Sequence, residues 1–183
     1  MDIRLLETER LYLRNFKISD FAAVHEYASL ESFSQYQIWG PNSEQDTLEF
    51  LQDRISAALQ EPRVVYDMAI VLKATDQLIG GALIELESSN SKVACLGYAM
   101  NPKFQNQGYT TEIAQRLIKF GFEQLELRVI YALCDTRNTA SFRVMEKCGM
   151  QKVGIVPQDR NIQGEVYDSY RYEIYPTATA ADV

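Results

Sequence analysis

The amino-acid sequence predicts an α/β (α+β) domain with a mixed, mostly antiparallel central sheet that is flanked by helices. One observation is the order of the predicted elements: strand, helix, helix, three hairpin-linked strands, and then strand–helix units. Another is size, because 183 residues with 46% hydrophobic content suffice for one well-buried core and are short for two. We therefore predict a single domain over residues 1–176, followed by a mobile tail of small residues at 177–183.

The first third of the chain predicts one strand and two helices. Residues 11–14 alternate between the two faces, which is typical of a half-buried strand. Ser19 and Asp20 offer an N-cap for a first helix, since their side-chain oxygens can accept hydrogen bonds from free amides at a helix start. Apolar residues return at helical spacing over 43–59, and Pro62 marks the end of that second helix.

The middle of the chain predicts three antiparallel strands. Apolar runs cover 64–72, 78–86 and 92–100, and short polar turns separate them. The third run ends at Asn101 and Pro102, because proline cannot donate to a sheet ladder. We therefore expect a meander whose last strand leads directly into the next helix.

The last part of the chain predicts two helices and three strands. After the third strand, apolar residues recur at helical spacing, and these are Ile113, Ala114, Leu117, Ile118, Gly121, Phe122 and Leu125. A buried strand is predicted at 129–133, followed by a shorter helix that Gly149 ends in a left-handed conformation. Two final strands are predicted at about 150–156 and 166–174, with 158–164 as the segment between them.

A glycine-centred loop lies between the third strand and the helix that follows it. This segment, residues 105–110, reads Gln-Asn-Gln-Gly-Tyr-Thr. Such a loop leaves several amide N–H groups unpaired and aligned with the helix dipole, which makes it an anion site. The spacing matches neither the P-loop nor the dinucleotide fingerprint. We therefore predict that main-chain amides around Gly108 bind a phosphate of another kind of ligand.

The bulk composition limits the class of partner. A net charge of −7 disfavours non-specific binding of nucleic acid and mildly favours a cationic substrate. No apolar run approaches the length of a membrane span, and the N-terminus has acidic residues where a signal peptide has basic ones. We expect a cytoplasmic protein with no membrane partner. Cys95, Cys134 and Cys148 are widely spaced and odd in number, so neither a disulfide framework nor a metal site is expected.

Three motifs carry a resemblance to a known family. The segment from Gln105 to Thr110 matches Gln/Arg-x-x-Gly-x-Gly/Ala, with Thr110 at the last small position. Residues 137–150 match Asn-x-x-Ser-x-x-Val-Leu-Glu-Lys-x-Gly-Phe/Met, and residues 8–14 match a characteristic opening strand. These motifs resemble the Gcn5-related N-acetyltransferase (GNAT) superfamily and, within it, the branch of ribosomal-protein N-terminal acetyltransferases (RimJ/RimL-like).

The resemblance implies acetyl-CoA as the acetyl donor. It also implies that the strand ending at Met100 and the strand at 129–133 splay apart, so that the pantetheine arm of the cofactor fills the gap. The implied cofactor contacts are Ala99, Met100, Gln105, Asn106, Gln107, Gly108, Tyr109, Thr110, Asn138 and Ser141. Asn138 begins a predicted helix, and a role as its N-cap is compatible with a cofactor contact.

Coenzyme A is a polyanion, so its binding loop has to be locally positive although the chain is acidic. The cations of the two motif segments are Lys103, Arg137, Arg143 and Lys147. Because the Debye length is about 8 Å at physiological salt, these near charges outweigh distant acids. We expect all four to face the cofactor.

Transfer of acetyl from a thioester to an amine requires a neutral amine, a polarised carbonyl and release of a thiolate. A backbone N–H near Met100 can polarise the carbonyl. Many family members use a tyrosine beside the thiolate at the position that is Met145 in this chain. Ser141, one helical turn earlier, is the branch's alternative, and we predict it as a catalytic residue.

The general base is predicted to be Glu85. Many relatives carry a glutamate just before the Gly-Tyr of the central strand, whereas this chain has Cys95 and Leu96 before Gly97. Glu85 lies on the preceding strand and can supply the missing carboxylate. The other candidates that stay open are Asp168, His25 and Glu26.

The predicted acceptor is a primary amine, most strongly the N-terminal α-amine of a protein or peptide. At pH 7, deprotonating an α-amine of pKa about 7.8 costs about 1.1 kcal/mol, against about 4.6 kcal/mol for a lysine of pKa about 10.4. A site without a strong base therefore suits an α-amine. A small amine such as a polyamine or antibiotic, a non-catalytic acyl-CoA-binding module, and a phosphate binder of another class stay open, as does a homodimer.

Overall fold

A computed structural model describes residues 5–176 of the chain. Its central feature is a sheet of eight strands in the order β1-β2-β3-β4-β5-β6-β8-β7. The strands are β1 (Leu6–Glu7), β2 (Leu11–Asn15), β3 (Val65–Leu72), β4 (Gln77–Leu86), β5 (Val93–Met100), β6 (Val129–Asp135), β7 (Gln151–Ile162) and β8 (Glu165–Ile174). Within the described residues, β5 and β6 form the single parallel pair and every other pair is antiparallel. The predicted mixed, mostly antiparallel sheet is confirmed.

Helices cover both faces of the sheet. They are α1 (Phe21–Ala28), α2 (Glu31–Ser34), α3 (Glu44–Ala58), α4 (Tyr109–Glu123) and α5 (Thr139–Lys147). Helices α4 and α5 pack on one face, in a core that includes Leu117, Met145 and Ile130. Helices α1 and α3 pack on the other face, where Tyr27 and Leu51 are buried. No helix in the described part of the chain is long and apolar enough to cross a bilayer.

Helix α4 lies close against the sheet because one position of its inner face is glycine. A Cβ added at Gly121 would stand 2.7 Å from Cδ1 of Ile130 and 2.9 Å from Cδ1 of Ile84. Of the seven residues predicted for this face, Phe122 is only partly buried and Leu125 lies beyond the end of the helix. The other five form the buried face of α4, and Phe120 joins them. This contact fixes where the start of α4 lies relative to the ends of the central strands.

Two local predictions near the N-terminus are wrong. Strand β2 is buried on both faces rather than half-buried. Asp20 stands at the start of α1, but its carboxylate makes no capping bond. It instead accepts two hydrogen bonds of 2.7 Å from the guanidinium of Arg14 and one of 2.9 Å from the amide of Lys17. A buried charge requires a partner of opposite sign, and the ion pair with Arg14 outweighs the cap.

The end of the chain forms a longer hairpin than predicted. The segment 158–164 was expected to separate two strands, yet β7 continues through it to Ile162. The turn is confined to Gln163 and Gly164, which both have a positive φ. The register of β7 with β8 shifts between Val156 and Arg160. The turn-forming residues of this segment therefore cause an irregularity in the pairing but do not end the strand. The predicted tail at 177–183 lies outside the described residues, and the single domain over 1–176 stays a prediction.

Candidate active site

The parallel strands β5 and β6 separate into a gap. Their pairing joins residues 93–95 to residues 129–131 and ends there. Each strand continues along its outer neighbour, β5 along β4 as far as Met100 and β6 along β8 as far as Asp135. The C-terminal halves of β5 and β6 therefore diverge, which confirms the predicted splayed pair.

Alternation along β5 decides which peptide groups face the gap. The amide of Asn101 donates to the carbonyl oxygen of Ile79 at the end of β4, 2.9 Å away. Because alternate residues of an antiparallel ladder turn to the same neighbour, Ala99 also faces β4, whereas Tyr98 and Met100 face the gap. Of the two predicted cofactor contacts on this strand, only Met100 presents its peptide group to the gap. Tyr98, which is not among the predicted contacts, does so as well.

The same alternation applies to the opposite wall, β6. The amide of Thr136 donates to the carbonyl oxygen of Asp168 on the β8 side, 3.1 Å away. Asp135 and Leu133 lie one and three residues before Thr136, so their peptide groups turn to the opposite side and face the gap. The carbonyl oxygen of Leu133 accepts a hydrogen bond of 2.9 Å from Nη2 of Arg160. A side chain from β7 therefore reaches the edge of the gap.

The predicted anion loop lies at the end of β5. Asn106 and Gly108 have φ angles of +60° and +82°, which turn successive amides toward one side. The main-chain amides of residues 106–110 make no hydrogen bond to any other described residue. Gln105 holds the loop to the strand end, because its Nε2 donates to the carbonyl oxygen of Met100 at 3.2 Å. The loop thus presents a row of free donors at the open end of the gap.

Arg10 supports this loop from the N-terminal strand. Its Nη1 donates to the carbonyl oxygen of Gln107 at 3.0 Å, and its Nε donates to Glu112 at 2.7 Å. Its guanidinium also lies over the ring of Tyr109, 4.4 Å from the ring centroid. The sequence alone does not link Arg10 to this loop, because 97 residues separate it from Gln107.

The four predicted cations differ in how much charge they leave for a ligand. Lys103 pairs with Glu26 at 2.9 Å, and this bond lowers the pKa of Glu26. Arg137 pairs with the buried carboxylate of Asp135 at 2.7 Å. Within residues 5–176, Arg143 and Lys147 form no ion pair; both are exposed on α5, and they are the remaining unpaired members of the set.

Asn138 and Ser141 lie together in the first turn of α5. Oδ1 of Asn138 accepts a hydrogen bond of 3.1 Å from the amide of Ser141, so the N-cap role is present. Tyr98 from β5 donates its hydroxyl to the carbonyl oxygen of Ser141 at 2.9 Å, and its oxygen lies 3.3 Å from Oγ. Burial raises the pKa of Tyr98, which keeps the phenol protonated. Met145 is buried in the core, 2% exposed.

Glu85 lies opposite Cys95 in the register of β4 and β5. Directly paired residues of an antiparallel ladder project to the same face, so the carboxylate and the thiol are neighbours. This face is the one opposite α4 and α5, because the adjacent residue Ile84 is buried in the α4 core. Glu85 is exposed there.

The other candidate bases have structural partners. Asp168 accepts a hydrogen bond of 2.9 Å from the amide of Gln158. Nδ1 of His25 is 2.9 Å from Oγ1 of Thr47, and its ring stacks on Phe21. Glu26, the remaining candidate, binds the side chains of Lys103 and Asn101.

A surface cavity of about 590 Å³ lies between α2 and the β7–β8 hairpin. Its lining includes Glu31, Glu165, Arg137 and Tyr167. Arg137 lies over the ring of Tyr167, 3.3 Å from its centroid, and its charge is matched by Asp135. The two glutamates therefore give this cavity an acidic wall. Within the residues that the structure describes, no cluster of three or more His, Cys, Asp or Glu side chains could hold a metal ion.

Comparison with known proteins gives consistent results. The model of the acetyltransferase (GNAT) domain matches residues 10–151. An uncharacterized N-acetyltransferase of Bacillus subtilis, YnaD, is 30% identical over 169 residues, which cover 92% of this chain and 95% of that protein. The crystal structure of a GNAT-family acetyltransferase from Bacillus anthracis has a TM-score of 0.83 and 32% identity, covering 93% of this chain and 97% of that one.

A more distant structure shares the fold. RimL, a ribosomal α-N-protein acetyltransferase solved in complex with coenzyme A, has a TM-score of 0.79 at 22% identity and covers 92% of this chain and 95% of its own. With the family model matched over most of the sequence, the chain belongs to the GNAT family of N-acetyltransferases.

Proposed function

We propose that this N-acetyltransferase transfers acetyl from acetyl-CoA to the N-terminal α-amine of a protein or peptide. The observation that carries the donor assignment is the row of free amides at 106–110, placed where the gap between β5 and β6 opens. Free amides at a helix start bind phosphate without any cationic side chain. Gly108 has a φ of +82°, which L side chains rarely adopt, so glycine at this position allows the backbone turn that presents these amides.

The residues around the gap fit a long, amide-bearing donor. Tyr98 and Met100 on one side and Asp135 on the other offer peptide groups to a pantetheine arm. The Nδ2 group of Asn138 makes no hydrogen bond to a described residue, although its Oδ1 is engaged as the N-cap, so it is available to the same arm. Ala99 packs against the core on the α1 and α3 face of the sheet, and its peptide group is not among those offered to the arm. When bound, acetyl-CoA supplies an acetyl group activated as a thioester.

Glu85 is the proposed general base. Relatives that carry a glutamate before Gly-Tyr hold it at the position of Cys95, and Glu85 is the directly paired residue on the neighbouring strand. The Cβ atoms of such a pair are about 5 Å apart, so a carboxylate on β4 can reach the region that the missing glutamate would occupy. Neutralising an α-amine of pKa about 7.8 at pH 7 costs only about 1.1 kcal/mol, so the base has only to receive the proton that the amine nitrogen loses as it attacks the thioester.

Ser141 is the proposed hydroxyl beside the thiol. Its Oγ lies 3.3 Å from the hydroxyl oxygen of Tyr98, so two hydroxyl groups stand together on the α5 side of the gap. Tyr98 donates its proton to the carbonyl oxygen of Ser141, so the serine hydroxyl keeps its own proton, which it can donate to a sulfur; the thiol of Cys134 is such a neighbour in the free protein. Met145 is enclosed by core residues and takes no part in this arrangement.

A small cationic amine is the alternative acceptor. The acidic wall formed by Glu31 and Glu165 favours a substrate with a second positive charge, such as a polyamine. A second alternative is an acyl-CoA-binding module without turnover, in which Glu85 and Ser141 would have no chemical role.

Release of free thiol distinguishes these three functions. The protein is incubated with acetyl-CoA and, in parallel, with peptides that have free N-termini, the same peptides with blocked N-termini and a free lysine, spermidine, and an aminoglycoside. The proposal requires turnover on free N-termini and a kcat/KM at least tenfold lower on the other acceptors. Faster turnover on spermidine would replace it with the polyamine function, and tight donor binding without turnover on any amine would replace it with the binding module. The cytoplasmic location and the homodimer stay predictions.

A further inference from the structure

Arg160 crosses the face of the sheet from β7 to the gap. Its Nε donates to Oγ of Ser169 on β8 at 2.9 Å, and its Nη2 donates to the carbonyl oxygen of Leu133 on β6 at 2.9 Å. Its Nη1 donates to the carbonyl oxygen of Tyr36, after α2, at 3.4 Å. The side chain is 16% exposed and is fixed by three different elements.

The guanidinium ends where the gap begins to open. The peptide group of Leu133 faces the gap, and Leu133 is two residues beyond the last pairing of β6 with β5, at Tyr131. Three of the five N–H donors of Arg160 are used in the bonds above, so two remain. Ser169 is paired with Asp135 on the face opposite α5, so Arg160 approaches from the same face as Glu85.

The charge of Arg160 is only partly balanced. Its nearest carboxylate oxygen is Oδ2 of Asp159 at 3.9 Å, and that oxygen also accepts a hydrogen bond of 2.6 Å from Ser169. Asp135 lies farther away, and the positive charge of Arg160 contributes to lowering its pKa. By contrast, Arg171, a second cation on this face, is paired with Glu173 at 2.8 Å.

Two native thiols lie within the field of Arg160: Cys95 on β5 belongs to the last residue pair with β6, and Cys134 on β6 lies beyond that pair, beside the gap. Burial raises the pKa of Cys95 on β5 and of Cys134 on β6 to about 11 each. For Cys95 the charge of Glu85 adds to this effect. The positive charge of Arg160 opposes it for both thiols, and that of Arg171 opposes it for Cys95 as well. A sulfur placed in the gap beside the carbonyl oxygen of Leu133 would feel the charge of Arg160.

We infer that Arg160 stabilises the coenzyme A thiolate that leaves when the acetyl group is transferred. The inference rests on the proposed function of the gap as the thioester site. In the reaction, the amine nitrogen forms a bond to the acetyl carbon and the carbon–sulfur bond breaks, with its electron pair moving to sulfur. The amine proton goes to Glu85, and the sulfur leaves as an anion beside the guanidinium. A preorganised cation of this kind contributes about 10²-fold to 10³-fold in kcat.

The test measures the pKa of the thiol of bound coenzyme A. The ultraviolet absorption of the thiolate is followed during a pH titration of the complex, and the desulfo-CoA complex is subtracted as the blank. We expect the pKa of the bound thiol in the wild type to be at least one unit below that in Arg160→Gln, which is a tenfold change in the thiolate-to-thiol ratio. The matched control, Arg171→Gln, removes a cation from the same face and is expected to leave this pKa within about 0.3 units of the wild type.

A second measurement needs no ligand. In Arg160→Gln we expect Cys95 and Cys134 to react several-fold more slowly with iodoacetamide, because a smaller fraction of each is thiolate. Cys148 is the internal reference, since its pKa is raised to about 11 by burial alone. General loosening of the fold would instead accelerate all three reactions.

The inference is overturned if the bound thiol has the same pKa in the wild type and in Arg160→Gln, or if Arg171→Gln shifts it equally. If Arg160→Gln fails to bind desulfo-CoA, the Arg160→Lys variant decides, because it keeps the charge. A bound-thiol pKa in Arg160→Lys equal to that in the wild type supports the inference. A bound-thiol pKa in Arg160→Lys at or above that of free coenzyme A refutes it. Absence of coenzyme A binding in the wild type would refute the proposed function instead, which separates the two failures.

Discussion

The hydroxyl of Tyr98 donates a hydrogen bond of 2.9 Å to the carbonyl oxygen of Ser141 and so connects β5 to the first turn of α5. Tyr98 borders the gap between β5 and β6 through its peptide group, and Ser141 is the residue that we propose beside the thiol. The helix that carries Ser141 is therefore positioned by the strand that forms the opposite wall of the gap.

Replacing Tyr98 with phenylalanine removes this connection and keeps the ring. We expect the free energy of unfolding to fall by about 1 kcal/mol, as for loss of one buried hydrogen bond. We also expect kcat to fall about tenfold, as for a residue that assists proton transfer indirectly, while the KM for acetyl-CoA stays within twofold. Tyr66→Phe on β3 is the control, and equal kcat values for the two variants would contradict the role given to Tyr98.

Gly108→Glu tests the anion loop. The new side chain would stand at a φ of +82° beside the guanidinium of Arg10 and would add a negative charge among the free amides. We expect acetyl-CoA to bind about 100-fold more weakly, since like charges at one site cost several kcal/mol. Gly164→Glu is the matched control: it has the same left-handed strain at φ +90° in the β7–β8 turn. If acetyl-CoA raises the melting temperature of both variants equally, the loop assignment is wrong.

The pair formed by Glu85 and Cys95 allows a compensation experiment. Glu85→Gln should lower kcat/KM by about 10²-fold to 10⁴-fold, as for removal of a general base. Adding Cys95→Glu to this variant places a carboxylate on the paired strand. We expect the double variant to have a kcat/KM at least tenfold higher than that of Glu85→Gln. Glu87→Gln, just beyond the end of β4, should have no effect. Full activity of Glu85→Gln at every pH would exclude Glu85 as the base.

Asp67 on β3 gives a pH dependence of stability. Burial raises its pKa to about 6, although Nε of Arg54 lies 2.6 Å from its carboxylate. The folded state then binds this proton more tightly than the unfolded state, so the contribution of Asp67 to stability falls as pH rises from about 4 to about 6. Two pKa units correspond to about 3 kcal/mol.

Asp67→Asn isolates this effect. We expect the free energy of urea unfolding of the wild type to fall by about 2 kcal/mol relative to that of the variant between pH 4 and pH 6.5, because part of the effect lies below pH 4. Glu112 and Asp135, whose pKa values are lowered, act in the opposite direction and are common to both proteins, so they cancel in the difference. Asp53→Asn, an exposed change on α3, should show no such slope. A constant difference between wild type and Asp67→Asn across this range would contradict the prediction.

Local chemistry explains what could be predicted from the sequence. Gly108 and the helix after it were recognisable because a glycine, a change of period and a preceding proline occur within a few residues. The strands 64–72, 78–86 and 92–100 were recognisable for the same reason, since each is bounded by its own turn. The splayed pair and the cofactor contacts came from the family resemblance rather than from the residues themselves.

Contacts between distant residues explain what could not be predicted. Arg160 binds Leu133 and Tyr36, which are 27 and 124 residues away in the sequence. The residues next to Arg160 in the sequence are polar and typical of a loop. They nevertheless form a strand, because pairing with β8 outweighs their preference for a turn. Asp20 shows the same competition at short range, because its carboxylate could serve either a helix start or Arg14, and only the folded structure determines which.

The short contact between β5 and β6 has a consequence for the sheet as a whole. Three residue pairs join an N-terminal half, β1 to β5, to a C-terminal half, β6 to β8. A substrate arm that bonds to both walls would extend this seam, so the ligand would act as an additional strand between the halves. Amide hydrogens of β5 and β6 should then exchange more slowly with donor bound, because the sheet is complete only in that state.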